Sequence, residues 1–213
     1  MLGQSIARNS LILAVFAFVT AGTLAWIHKS TETRIAEQEK RAAEKALLEI
    51  LSADQFDNDL LATTWTLTHK QQQELNLHKA EKVHIASKAG RAVALIIPAI
   101  APDGYSGDIK LLVGVKMDGS LSGVRVLAHK ETPGLGDKVE TKKSDWILKF
   151  KNLSLIKPKA ELWSVKKDGG YFDQFTGATI TPRAVVKQSK AVLEFFAKHK
   201  EQILASQNLE ATE

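Results

Sequence analysis

The chain of 213 residues contains no cysteine. That absence excludes disulfides, thiolate metal sites, iron–sulfur ligation within the chain and cysteine nucleophiles. It fits an oxidising compartment whose protein needs no covalent staples. The six histidines, at positions 28, 69, 78, 84, 129 and 199, show no H-E-x-x-H or related spacing, so no metal centre is expected. Ser106 lies in no G-x-S-x-G elbow, which leaves a serine hydrolase unsupported. There is no zinc-finger spacing and no aromatic-basic run of the RNA-recognition kind, so nucleic acid is not an expected partner. Internal repeats and low-complexity linkers are also missing.

What is present suits one domain with appendages. A hydrophobic fraction of 44% is enough for a core. The formal net charge is +5 and the isoelectric point is about 9.3. Basic and acidic residues are interleaved, so the surplus reads as solubility or affinity for acidic lipid headgroups.

Ser10 to Ile27 is a run of 18 residues without a charge. At 1.5 Å per residue it reaches about 27 Å, close to a hydrocarbon core of roughly 30 Å. Trp26 sits at one end, where an indole favours the interface. A cleaved signal peptide is the rival reading, with Val19-Thr20-Ala21 as its site. The apolar run continues past that site to Ile27, which favours an uncleaved anchor. Five Lys/Arg residues between Lys29 and Lys45, against Arg8 on the other side, would keep the main domain in the cytoplasm on a literal charge count.

Residues 28–51 are rich in Ala, Glu and Lys and are predicted to be a helical stalk, with Ile35, Ala42, Ala46 and Glu49 marking a rough face. Residues 52–90 are ambiguous. Ala92 to Ile97 reads as a buried strand ended by Pro98 and Pro102, and Gly104 to Gly107 as a turn. Ile109–Lys116 and Leu121–Ala128 are two β-rich runs around Met117-Asp118-Gly119-Ser120, a type I′ hairpin signal. Trp146–Phe150 is a short helix end or a strand. Leu162–Val165 and Tyr171–Phe175 suggest a strand-turn-strand about residues 166–170. Arg183–Leu204 reads as a helix with Val185, Val192, Phe196 and Ile203 on one stripe. The class is α+β, an antiparallel sheet with flanking helices.

Two short segments carry candidate chemistry. Asp173-Gln174-Phe175-Thr176-Gly177-Ala178-Thr179 presents a threonine just upstream of a helix, with Thr181 as its N-cap and Pro182 as its first residue. A helix N-terminus favours phosphate. Gly177 admits close approach to the backbone. Asp173 could orient a hydroxyl or bind a metal during modification. An ordinary turn with Thr179 and Thr181 satisfying backbone donors is the other reading. The second segment, Glu131-Thr132-Pro133-Gly134-Leu135-Gly136, is a Gly/Pro loop that is neither a Walker loop nor G-x-G-x-x-G.

Together the two segments resemble the covalent FMN-binding proteins of bacterial respiratory membranes. That family carries the attachment motif D-x-x-[S/T]-G-A-T and, about forty residues earlier, Glu-Thr-Pro-Gly-Leu-Gly. The resemblance covers roughly residues 90 to 200. It implies one FMN per chain, joined to Thr179 by a phosphoester, with Thr176, Gly177 and Ala178 in the attachment turn. Thr132, Leu135 and Gly136 are then candidates to line the flavin, Glu131 a polar contact, and Asp173 part of the modification motif. It also implies maturation by a flavin transferase, other membrane subunits as partners, and no turnover of the isolated chain. The implied layout is residues 1–9 cytoplasmic, 10–27 a single-pass anchor in a bacterial inner membrane, 28–51 a stalk, 52–205 a periplasmic FMN-binding domain and 206–213 a tail. The family includes the flavin subunits of Rnf/Rsx electron-transport complexes, which move electrons between ferredoxin and NAD or reduce an iron–sulfur sensor, coupled to ion translocation. It also includes a longer subunit of the sodium-pumping NADH:quinone reductase. The length here favours the former. A flavin-free, membrane-tethered scaffold is the reading from another class.

Overall fold

Alternation of inward side chains, interrupted at a few register shifts, builds a five-stranded antiparallel meander. In the computed structural model, which describes the backbone of residues 2–210, the strands are β1 (Thr64–Thr66), β2 (Lys82–Lys88), β3 (Arg91–Gly104), β4 (Gly107–Lys116) and β5 (Leu121–Ala128). They lie in sequence order across the sheet. Met1, the side chain of Ala42 on the expected stalk face, and tail residues 211–213 lie outside the described residues. Leu95, Ile97, Ile109, Leu111, Val113 and Val115 point into one core, while Ala94, Ile96 and Leu112 point to the other face. This is the period of two that a pleated strand imposes.

Helices cover both faces. Helix α1 runs Leu2–Ile50 and helix α3 runs Ile180–Glu210, with the short α2 (His69–Glu74) between them in sequence. Val185, Val192, Phe196 and Ile203, the predicted stripe, are all buried in the larger core. On the other face Ala46, Leu47, Ile50 and Leu51 pack against Ala86, Ala94, Ile96 and Leu112. Arg125 fixes this end of α1 by donating from Nε to Glu49 Oε2 at 2.9 Å. Gly114 on β4 is where the helix approaches closest: a Cβ there would stand 2.2 Å from Ile50 Cγ2 and from Ser122 Oγ. Gly114→Ala is therefore expected to destabilise the domain by about 1–3 kcal/mol, read as a lower thermal midpoint of the full chain in detergent.

Contacts divide the chain into residues 1–42 and 43–213. Within the first unit, Ile6–Ile35 is long and apolar enough to cross a membrane, with a mean hydropathy of 2.1. Its hydroxyls do not break the apolar character. Thr20 and Thr23 donate back to Phe16 O and Val19 O at 2.9 and 2.8 Å, satisfying their polar atoms within the helix.

Several sequence expectations change. Strand β3 does not stop at Pro98 but continues through Pro102 to Gly104. Ile100 donates its N–H to Leu75 O at 3.0 Å, on the side away from β4. Pro98, two residues earlier, faces that same side, and the pairing with β2 has already ended at Ile96. Its missing N–H leaves no ladder bond unmade. Pro102 falls at the register irregularity between Ala101 and Gly104. The β4–β5 turn is not type I′, because of its residues only Gly119 has positive φ, at 82°. Gly119 N–H donates to Lys116 O at 2.9 Å, giving a type I turn followed by a left-handed glycine. Asp118 Oδ1 selects this form by accepting from the Ser120 hydroxyl and N–H at 2.7 and 2.8 Å. Those bonds hold the Asp118 carboxyl below the usual range.

The expected strand-turn-strand at 162–175 reduces to a single bridge, Val165–Phe172, beside short 3₁₀ turns. Aromatic packing replaces a ladder there: Phe172 lies 4.6 Å from Phe150 and 5.0 Å from Trp163 between ring centroids. Trp146–Phe150 is itself a 3₁₀ turn. The ambiguous region resolves into β1, α2 and β2. A capping box opens α2, with Gln71 Oε1 accepting the Thr68 N–H at 2.9 Å; Thr-x-x-Gln was legible in the sequence.

Candidate functional site

The attachment segment is a tight turn feeding a helix. Ala178 N–H donates to Phe175 O at 3.1 Å, and Gly177 between them has φ of 81°, a value that disfavours any side chain. Helix α3 opens at Ile180, two residues before the predicted first residue, Pro182. Thr181 is therefore not the N-cap. That place falls to Thr179, whose carbonyl accepts the first intrahelical bond, from Arg183 N–H at 3.3 Å. Pro182 still lies in the first turn, where no donor is required. Among the described residues, the Thr179 hydroxyl makes no hydrogen bond.

Glu131 explains why Thr181 is drawn inward. The carboxylate is only 4% exposed and Thr181 only 1%. The Thr181 hydroxyl donates to Glu131 Oε2 in a short bond, and Ser106 N–H donates to Oε1 at 2.8 Å. One carboxylate thus ties the β3–β4 turn, the 131–136 loop and the start of α3 together. Gly136 lies against this tie, since a Cβ there would stand 2.8 Å from both Glu131 Cβ and Thr181 Oγ1. Loop orientation is held from behind by His129. Its Nδ1 accepts Glu131 N–H at 3.0 Å, so Nε2 carries the proton and donates to Glu140 Oε1 at 2.7 Å.

The result is a cleft of about 380 Å³, in the range of small-molecule sites. Glu131, Thr132, Leu135 and Gly136 line it from one side, and Gly177, Ala178 and Thr179 from the other. Leu135 Cδ2 would be 3.4 Å from a Cβ on Gly177, so the two segments meet there. Tyr105, Ile180 and Thr181 also line the cleft and were not anticipated. Tyr105 sits in a turn flanked by Gly104 and Gly107; an exposed aromatic between two glycines was the available signal. Thr176 is exposed and does not line the cleft.

Asp173 is not brought to Thr179. It lines a separate cavity with Trp146, Lys149, Lys166, Gly170, Tyr171 and Phe172. Its carboxylate accepts from Lys166 Nζ at 2.6 Å and Lys149 Nζ at 3.1 Å. Lys166 first, then Lys149, hold its pKa below the usual value. A depressed carboxylate stabilises the fold above its unfolded pKa of about 3.9 and loses that contribution as pH falls through the lower folded value. Asp173→Asn is accordingly expected to flatten the fall in thermal midpoint below about pH 4. Near pH 7 its effect should be small, because solvent screens a half-exposed pair.

Comparison with known proteins reads these features together. The G subunit of an ion-translocating oxidoreductase complex from Pseudomonas aeruginosa (strain UCBPP-PA14) is 48% identical over 203 residues, 95% of this chain and 94% of its own. Proteins of the same name from Vibrio atlanticus (strain LGP32) and Shewanella oneidensis (strain ATCC 700550 / JCM 31522 / CIP 106686 / LMG 19005 / NCIMB 14063 / MR-1) are each 44% identical, over 95% and 93% of this chain and 95% and 92% of their own. The chain belongs to the RnfG family. The FMN-binding domain family matches residues 104–194, and the RnfG N-terminal region matches residues 1–50. Within this RnfG-family chain, the FMN-binding match holds the whole cleft lining, from Tyr105 to Thr181. The residues fit a flavin mononucleotide. A helix N-terminus at Thr179 suits its phosphate, Gly177 adds no side chain where the two segments meet, and Gly136 leaves room for the Glu131–Thr181 tie behind the cleft. Tyr105, Leu135 and Ile180 offer exposed apolar surface for a planar ring.

Proposed function

We propose that this RnfG-family protein is a membrane-anchored electron carrier whose FMN is joined through a phosphoester to the Thr179 oxygen. FMN, when bound, supplies one- and two-electron transfer. The chain's own residues hold and orient it. Thr179 would be the tether, and the N–H groups of the first turn of α3 would hold its phosphate. Thr132, Leu135 and Gly136 form one wall of the cleft, and the Glu131–Thr181 tie holds its floor. No residue here is a catalyst, and the isolated chain should have no turnover.

The observation that carries this reading is the position of Thr179 at the N-cap of α3, with its hydroxyl uncommitted at the rim of a cleft that the FMN-binding match encloses. Maturation requires a flavin transferase that uses FAD. The bond from Thr179 Oγ to the FMN phosphorus forms as the bond to AMP breaks, and the hydroxyl proton passes to a base on the transferase. Coexpression with such a transferase, followed by a denaturing gel, should give a fluorescent band. A dark band, with the transferase active on another substrate, favours the flavin-free scaffold.

The complex we infer moves electrons between ferredoxin and NAD, or onto an iron–sulfur redox sensor, and couples that flow to ion translocation. The names of the relatives support the coupling to ions. In this arrangement residues 1–9 are cytoplasmic, 10–27 anchor the chain in the inner membrane, 28–51 form the stalk, 52–205 the periplasmic FMN-binding domain and 206–213 the tail. A periplasm-specific reporter fused to the carboxyl terminus should be active, and activity of a cytoplasmic reporter alone would reverse the orientation.

A further inference from the structure

The positive charge of this chain is concentrated in one place. Residues 138–167 hold nine lysines against three acids, a net +6, which leaves the other 183 residues at −1. The segment has little regular secondary structure, yet a single aromatic cluster organises it. Phe150 contacts Trp163 and Phe172, and Trp163 Nε1 donates to Ser154 O at 3.0 Å. Those rings hold the surrounding lysines outward. Lys149 and Lys166 share the carboxylate of Asp173, so one charge of that trio is uncompensated. Lys142, Lys151, Lys157 and Lys159 are exposed and form no ion pair among the described residues.

Apolar side chains stand among these lysines. A turn closed by Ser154 N–H donating to Lys157 O at 2.9 Å projects Ile156 into solvent at 86% exposure. Leu148 and Leu162 are also exposed in the same segment. A protruding isoleucine next to Lys157, in a segment that also carries exposed, unpaired Lys142, Lys151 and Lys159, combines the two features of interfacial lipid binding, an apolar tip and cationic flanks. The same chain carries its own candidate membrane span, which keeps the domain tethered at high effective concentration near a bilayer.

We propose that the 138–167 segment is a surface that lies against anionic lipid headgroups, with Ile156 entering the interface. Lysines near an acidic leaflet each contribute about a fivefold factor in binding, so four unpaired ones suffice for a tethered domain. This reading rests on the membrane span and not on the flavin.

The test uses the full chain in nanodiscs of neutral phosphatidylcholine, or of that lipid with about a quarter phosphatidylglycerol. Because the chain lacks cysteine, Ile156→Cys provides a single thiol for an environment-sensitive fluorophore, and Gln73→Cys on α2 a control. Emission from position 156 should shift to the blue in anionic discs only. It should return at about 0.5 M salt, where the screening length falls to about 4 Å. The control should not move. Adding Lys151→Glu, Lys157→Glu and Lys159→Glu should abolish the shift without changing the thermal midpoint. Equal emission in both kinds of disc overturns the proposal. So does a shift that requires the other subunits whatever the lipid charge, which assigns the surface to a protein partner.

Discussion

Thr179→Val should abolish attachment of the flavin while leaving the fold intact. Valine keeps the shape of threonine and removes only the nucleophilic oxygen. Thr179 is half-buried and its hydroxyl has no partner among the described residues, so its loss breaks no internal hydrogen bond. The N-cap carbonyl, which accepts Arg183 N–H, is retained. A missing N-cap side-chain bond elsewhere costs about 1 kcal/mol, but no such bond is made here to be lost. Intact-mass analysis of protein made with the transferase should therefore show FMN minus water on the wild type and the bare polypeptide on the variant. Thermal midpoints of the two apo chains should agree. Thr179→Ser should restore the adduct, because a hydroxyl at the same helix terminus is all that the transfer needs. A flavin adduct on Thr179→Val at wild-type level would move the tether to another residue, with Thr132 and Thr181 the other threonines that line the cleft. Thr181 is a poor substitute, since its hydroxyl is spent on Glu131.

The second large effect is expected at Glu131. This carboxylate is buried, and both oxygens act as acceptors, from Ser106 N–H and the Thr181 hydroxyl. Glu131→Ala removes both acceptors and leaves the buried Thr181 hydroxyl unsatisfied, while the N–H of exposed Ser106 is returned to solvent. Loss of the hydrogen bonds to a buried carboxylate costs about 1.5–3 kcal/mol, or a drop of roughly 5–10 °C in thermal midpoint for a domain of this size. Because the tie joins the β3–β4 turn to the start of α3, the variant should also take up flavin poorly. Glu131→Gln is the discriminating control. Its amide oxygen can still accept from Ser106, and its NH₂ can donate to the Thr181 oxygen. It should recover most of the midpoint. Equal loss in the Ala and Gln variants would mean that charge, not bonding, holds the tie.

The apolar stripe of α3 was readable directly, because burial on one face forces a period that composition displays, and β4 and β5 were readable as β-rich runs on either side of an Asp-Gly turn. The apolar span was readable for a similar reason: a membrane demands length and lack of charge, both local properties. The helix start was misread by two residues. Thr-Pro resembles a cap and first turn, but the buried carboxylate of Glu131, fifty positions away, draws Thr181 into the helix. Pro98 looked like a strand end, and only the β2–β3 register shows that its missing donor lies on an unpaired side. The basic segment was hidden by averaging, since a net +5 spread over 213 residues looks mild.

Residue order alone established the kind of elements, the membrane-spanning run and the two short segments with chemical character, since each depends on neighbours in the chain. Their meeting did not follow from it. Only the folded domain brings residues 131–136 against 177–181 to make one cleft, and only there does Asp173 turn away from Thr179 toward two lysines. Such contacts arise between groups distant along the chain, where a buried carboxylate must find donors and where aromatic rings must find one another, and neither need leaves a periodic trace.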